Sequence, residues 1–373
     1  MSERFSVTYW LAAGDADEAR ARAEAVALEQ TLEIPRDAVP IGYVEDVMLG
    51  RLVALAPDTG SQGGFRATIS YANDDVGGDF LQLLNIIFGN SSILAGLRVI
   101  DIELNDELEA LCGGPRFGAE GLRSRAGASG RPLFMSAIKP VGLGTAALAE
   151  RAAQFALGGM DFVKDDHGLV DQATAPFDDR VKACIEAVGE ANGRSGGRTV
   201  FVPNVTAETG LAIERARKAR EWGAGAVMLA PGLLGFDVAR TLARDPDFGL
   251  PIITHPTFSG ANTITPTTGF SHRVFYGLLT RMMGADAVVY PNFGGRFGFT
   301  QAECRSIADG CGEAFGSLRP ILPAPGGGMS IEKIPQIRAV YGDDVIYLVG
   351  GALMRAPEGI VDATRRLVAV ASG

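Results

Sequence analysis

From Pro132 onward, short apolar runs alternate eight times with amphipathic stretches, and this alternation restricts the fold more than any other feature of the chain. The runs are PLFMSAIKP (132–140), DFVKDD (161–166), TVFVPNVT (199–206), AVMLAPG (226–232), PIITHPTF (251–258), ADAVVYPN (285–292), PILPAPGGG (320–328) and VIYLVGGAL (345–353). Between them, stretches such as TAALAERAAQFALGG and GLAIERARKAREWGA carry helical periodicity, and several close on Gly, a residue suited to the left-handed helix cap. The runs are almost continuously hydrophobic, as strands covered on both faces require. Eight strand–helix units predict a (β/α)8 TIM barrel, with a doubly wound open sheet as the competing arrangement.

Residues 1–125 have a different texture. FSVTYWLAA, GFRATISYA and LRVIDIEL read as strands, and DADEARARAEAVALEQ and DFLQLLNIIFG as helices. A small α+β domain is expected over 1–125 and the barrel over 126–373, divided within the Gly- and Arg-rich GGPRFGAEGLRSRAGASGRP.

Composition narrows the function. The 373 residues are 47% hydrophobic with a net charge of −10, a globular balance whose acidic excess argues against nucleic-acid and membrane-surface partners. The four cysteines form no CxxC pair, no signal peptide is visible and no apolar run reaches membrane-spanning length. A reduced, cytoplasmic enzyme is expected.

In a TIM barrel, chemistry gathers at the C-terminal ends of the strands. Those ends carry Lys139, then Lys164-Asp165-Asp166-His167, Asn204, His255, Asn292 with Arg296 nearby, Gly326–Gly328, and Gly350 with Gly351. Strand alternation sends Lys164 and Asp166 to one face. The bland reading is an ion pair. The chemical one is a lysine that takes up CO2 as a carbamate and, with Asp166, offers hard oxygens to Mg2+. The glycines after the seventh and eighth runs sit where barrels bind phosphate, although a tight turn alone also needs Gly. His255 is a candidate acid–base group, and His272 is read as structural.

Together these segments resemble the RuBisCO superfamily. GGMDFVKDDHG is similar to its GGxDFxKDDE signature, AIKPVGLG to IKPKLGLS, and PNVTAET to LNATAGT. ILPAPGGGMSIEKIP and YGDDVIYLVGGAL are similar to its two phosphate-binding segments, and IIFGNSSILAGLRVIDIEL to an N-terminal segment. The resemblance implies Lys164 as the carbamylated lysine, Asp166 as a Mg2+ ligand and His167 in the place of the third ligand. It implies Lys139 as a catalytic lysine, His255 as the histidine ending the fifth strand, and Arg296 on a loop over the substrate. Asn204 is expected beside the substrate, and Gly327, Gly328, Gly350 and Gly351 at phosphate. Asn90 and Glu29 match residues that reach a neighbouring subunit's site, which implies a homodimer or multiples of it with sites at the interface.

The departures shape the expected activity. Val141, Pro256, Gly326 and Val289 replace the family's second lysine, arginine, serine and a further histidine, and His167 replaces glutamate. True ribulose bisphosphate carboxylation is therefore not expected. A RuBisCO-like protein forming an enolate from a small phosphorylated ketose is expected instead, as an isomerase of a methylthio-pentulose phosphate. The alternative is a decarboxylase or transcarboxylase of a 3-oxo sugar-acid phosphate such as 3-oxo-isoapionate 4-phosphate. A silent phosphate binder and a Schiff-base aldolase using Lys164 or Lys139 are the readings from other classes.

Overall fold

Strands β1 (Arg4–Leu11), β3 (Phe65–Ala72) and β4 (Leu97–Glu103) are the alternating segments of the N-terminal region, and between the first two lies β2 (Arg51–Pro57). The computed structural model describes residues 2–60 and 62–372. The alternation of β1 buries Phe5, Val7 and Tyr9 on one face. The hydroxyls of Tyr9 and Tyr71 lie 3.0 Å apart inside this layer, and Tyr9 donates to the Ile87 carbonyl at 2.7 Å. The helix Ala16–Glu29 starts where the Asp15 carboxylate accepts from the Glu18 N–H. Asp79 does the same for the helix Phe80–Phe88.

The first compact unit comprises Met1–Gly113 with Ser259–Leu279 and Ala314–Leu318. The later segment supplies β10 (Gly269–Phe270), which pairs in parallel with β4, giving the sheet order β10-β4-β1-β3-β2. Two features here have no clear sequence signal. β2 is an edge strand exposed on both faces, so its alternation carries little contrast. β10 is only two residues long.

The second unit holds the eight apolar runs: β5 (Leu133–Ile138), β6 (Phe162–Asp165), β7 (Val200–Val202), β8 (Val227–Leu229), β9 (Ile252–Thr254), β11 (Ala287–Pro291), β12 (Leu322–Gly326) and β13 (Ile346–Leu348). They form one parallel sheet in the order β7-β6-β5-β13-β12-β11-β9-β8. The ends meet where Asn204 bridges to Met228, and Met228 N–H reaches the Pro203 carbonyl at 2.9 Å. The result is a TIM barrel. Leu133, Met135, Phe162, Val202, Met228, Ile253, Val289, Leu322 and Ile346 fill its interior. Every residue of β5 and β6 is buried, because the barrel core lies on one side and the helices on the other.

The N-terminal end of the barrel is tied by carboxylates. Asp286 is 1% exposed and accepts from the N–H groups of Phe117, Gly118 and Ile252 at 2.9, 2.6 and 2.8 Å. Asp161 accepts from Phe134 N–H at 2.8 Å and pairs with Arg131 at both oxygens. Deleting the acceptor strands three backbone donors, those of Gly118 and Ile252 buried. Asp286→Ala should therefore destabilise the barrel by about 3 kcal/mol or more, read as a lower midpoint in urea unfolding. An unchanged midpoint would mean that these bonds do not secure the base of the barrel.

Candidate active site

At the opposite end of the barrel, β6 runs directly into Asp166 and His167. Lys164 and Asp165 point to opposite sides of this strand and have opposite tasks. Asp165 is fully buried beside Arg180, also fully buried, on the helix Phe177–Ser195. The guanidinium donates to both carboxylate oxygens at 3.2 and 3.3 Å and to the carbonyls of Ala175 and Val170 at 2.7 and 2.9 Å. Asp165 also accepts the Asn204 N–H at 3.0 Å. Burial pushes the Asp165 carboxyl up, while Arg180 and the Asn204 N–H pull it back toward the ionised form.

Asn204 extends this framework. Its amide donates to the carbonyls of His167 and Leu169 at 3.0 and 3.1 Å, and its oxygen accepts from the Thr206 N–H and hydroxyl. The side chain thus holds the loop after β6.

Lys164 is 1% exposed, and its Nζ donates to the Asp165 carbonyl at 2.9 Å. Burial, reinforced by Lys139, lowers its basicity to about 8 against the pull of Asp166 and Asp165. Asp166 accepts Lys139 Nζ at 2.8 Å, and His167 Nδ1 lies 3.7 Å from its other oxygen. Burial raises the Asp166 carboxyl, but His167 and the two lysines outweigh it and hold it well below the usual carboxylate range. Lys139 is nearly half exposed, so its amine reaches the mouth. The His167 ring stacks on His255, with centroids 4.6 Å apart and planes at 13°. His255 closes β9, its N–H bound to the Leu229 carbonyl at 2.9 Å and its Nδ1 2.6 Å from the Thr257 hydroxyl. Lys139, Lys164, Asp166, His167 and His255 are therefore brought into one cluster.

The remaining expected residues form other groupings. Gly327 and Gly328 have φ of +87° and +69°, and a Cβ at 328 would lie 2.9 Å from the Gly295 Cα, so this turn demands glycine on conformational and steric grounds. The contact joins the loop after β12 to the loop that carries Arg296, whose exposed guanidinium lies 4.7 Å over the Phe297 ring. Gly350 precedes the short helix Gly351–Met354 after β13. Glu29 and Asn90 belong to the first unit, where Asn90 donates to Glu29 at 3.1 Å. Arg180 and Thr257 carry no expected role in the sequence, yet both hold site residues. Arg180 had a signal: an arginine on the buried stripe of a helix, alongside Val181, Cys184 and Val188.

The fold and this cluster define a RuBisCO-type barrel enzyme. Residues 118–369 match the family "Ribulose bisphosphate carboxylase large chain, catalytic domain". The chain is 40% identical to ribulose bisphosphate carboxylase-like protein 1 of Rhodopseudomonas palustris, over 99% of this chain and 98% of that one. It is 38% identical to the 5-methylthioribulose-1-phosphate isomerase of Rhodospirillum rubrum, over 100% and 97%. The crystal structure of a Rubisco-like protein from Rhodopseudomonas palustris superposes with a TM-score of 0.88 at 36% identity, covering 100% of this chain and 98% of that one. The chain belongs to the RuBisCO large-chain family and is one of its RuBisCO-like members.

The buried pair beneath the cluster gives a test. Arg180→Met leaves the buried Asp165 without its ion-pair partner and should destabilise by about 3–5 kcal/mol in denaturant unfolding. Adding Asp165→Leu should restore much of that loss. A single variant as stable as the parent would show that the pair does not organise the loop.

Proposed function

We propose that this RuBisCO-like enzyme is a Mg2+-dependent isomerase of a phosphorylated ketose, of the 5-methylthioribulose 1-phosphate type. The observation that carries the reading is the pairing of a buried lysine of lowered basicity, Lys164, with a carboxylate held ionised, Asp166, on one strand end. The likeness to the Rhodospirillum rubrum isomerase along its whole length supports the substrate class.

The donor chemistry fits Mg2+ on one condition. Among the described residues, no three His, Cys, Asp or Glu side chains converge to hold a metal. Asp166 supplies one hard oxygen and His167 an imidazole, a weaker partner for this cation. A carbamate on Lys164 supplies the missing oxygens. Only a neutral amine adds CO2, and the lowered basicity of Lys164 provides one near neutral pH. Lys164 as its carbamate, Asp166 and His167 would therefore hold the ion. Bound there, Mg2+ supplies a Lewis acid that polarises the substrate carbonyl.

The protein's own groups do the rest. Lys139 Nζ, accessible and 2.8 Å from Asp166, is placed to carry a proton between the carbons that flank the carbonyl. The Lys164 carbamate is the other candidate base. Gly327, Gly328, Gly350 and Gly351 offer backbone N–H groups to the phosphate, and Arg296, exposed on its loop, is the cation for the substrate's outer face. In a homodimer, Glu29 and Asn90 are the groups assigned to the partner's site. The substitutions at Val141 and Pro256 remove cationic groups and so suit a substrate with one phosphate.

Incubation with 5-methylthioribulose 1-phosphate and Mg2+ in heavy water should yield a rearranged phosphate ester by phosphorus NMR, with deuterium at carbon. Lys164→Ala should abolish this turnover. Rearrangement without deuterium, or full activity in Lys164→Ala, would overturn the enolising mechanism, and release of CO2 from a 3-oxo acid phosphate instead would move the activity to decarboxylation. CO2 capture should also follow the amine. Carbamate detected by carbon-13 NMR with labelled bicarbonate should rise through about pH 8 and fall below it as Lys164 becomes protonated. Capture that begins only near the pH range of an exposed lysine would remove Lys164 as its seat.

A further inference from the structure

We propose that Thr257 is a positioning residue that fixes His255 as the Nε2–H tautomer, so that this imidazole meets the substrate as a hydrogen-bond donor and not as a base. The inference deepens the enolising reading and rests on it for its catalytic part.

Two donors converge on His255 Nδ1. The Thr257 hydroxyl lies 2.6 Å away, and the Thr257 backbone N–H points at the same nitrogen from 3.3 Å. A hydroxyl can rotate to accept, but a backbone N–H only donates. A proton on Nδ1 would collide with that N–H, so Nδ1 is the acceptor and the ring proton resides on Nε2.

The backbone that delivers the N–H has little freedom to turn away. Upstream, the His255 N–H is fixed to the Leu229 carbonyl, and Pro256 restricts the intervening φ. Thr257 itself is backed by the loop after β8. A Cβ at Gly232 would stand 2.5 Å from the Thr257 carbonyl oxygen and 3.0 Å from the Phe258 carbonyl carbon. Phe258 then holds φ of +65°, an uncommon conformation for an aromatic residue.

The other face of the ring is set by the 13° stack on His167. Among the described residues no protein group bonds Nε2, and it is not among the sealed, unpartnered polar atoms of the interior. It is left without a protein partner beside the cluster of Lys164, Asp166 and His167. With Nδ1 held as an acceptor by the Thr257 N–H, the ring carries its one proton on Nε2 and is neutral. A neutral imidazole donating from Nε2 polarises a carbonyl or stabilises the enolate oxygen, and the proton transfers are left to a lysine.

The chain has three histidines, which makes their nitrogens resolvable in the full-length, histidine-labelled protein. Long-range proton–nitrogen NMR, with His255 assigned through His255→Gln, should show the Nε2–H pattern in the parent and in Thr257→Ser. In Thr257→Val the short hydroxyl contact is lost and only the long 3.3 Å backbone N–H contact still disfavours a proton on Nδ1, so the pattern should shift toward mixed tautomers, and kcat for 5-methylthioribulose 1-phosphate should fall about tenfold with KM little changed, while Thr257→Ser retains activity. An Nδ1–H pattern in the parent, or an unaltered pattern and kcat in Thr257→Val, overturns the assignment. If the parent does not turn over this substrate, the activity reading fails, and the NMR pattern alone still decides the role of Thr257.

Discussion

The contact between Arg180 and Asp165 underlies everything at the mouth of the barrel. Removing two charges from water costs several kcal/mol per ion before any attraction is counted. Here the cost is met by a two-point ion pair, two carbonyls on the guanidinium and one backbone N–H on the carboxylate. The pair leaves the strand end rigid. Asn204, fixed through the same carboxylate, then grips the His167 and Leu169 carbonyls. Lys164, Asp166 and His167 inherit their positions from this scaffold, within two residues of the buried Asp165 carboxylate.

A chain with a net charge of −10 gathers local cationic character here through its lysines. Lys139 and Lys164 flank Asp166, and their mutual repulsion is relieved in two ways. Asp166 stays ionised between them, and burial weakens the hold of Lys164 on its proton. Lys164 is buried, whereas Lys139 is nearly half exposed. The two lysines share a charge type but differ in burial, and the proposed carbamate belongs to the buried one.

Much of this was legible in the sequence because it depends on period and position. The eight runs carry the barrel, since strands covered on both faces cannot be polar. The ends of the first, second and fifth runs carry Lys139, the KDDH segment and His255, and the structure gathers them in one cluster. Contacts between distant residues were not legible. The bonds from the Asn204 amide to the His167 and Leu169 carbonyls join segments 35 and 37 residues apart. Thr257 reads as the tail of a strand, and only the turn at Pro256 brings its hydroxyl back onto His255. β2 escaped because an edge strand exposed on both faces has no hydrophobic contrast, and β10 because two residues cannot display a period. The pairing of Glu29 with Asn90 likewise joins residues far apart in sequence.

The most direct measurement is a crystal structure of the full chain grown with bicarbonate and Mg2+. If a CO2-capped Lys164 seats the cation, density should extend beyond Nζ as a carboxylate, with an ion shared between it and Asp166 and with Lys139 turned off Asp166. A bare amine still bound to the Asp165 carbonyl, with Lys139 still paired to Asp166, would contradict it.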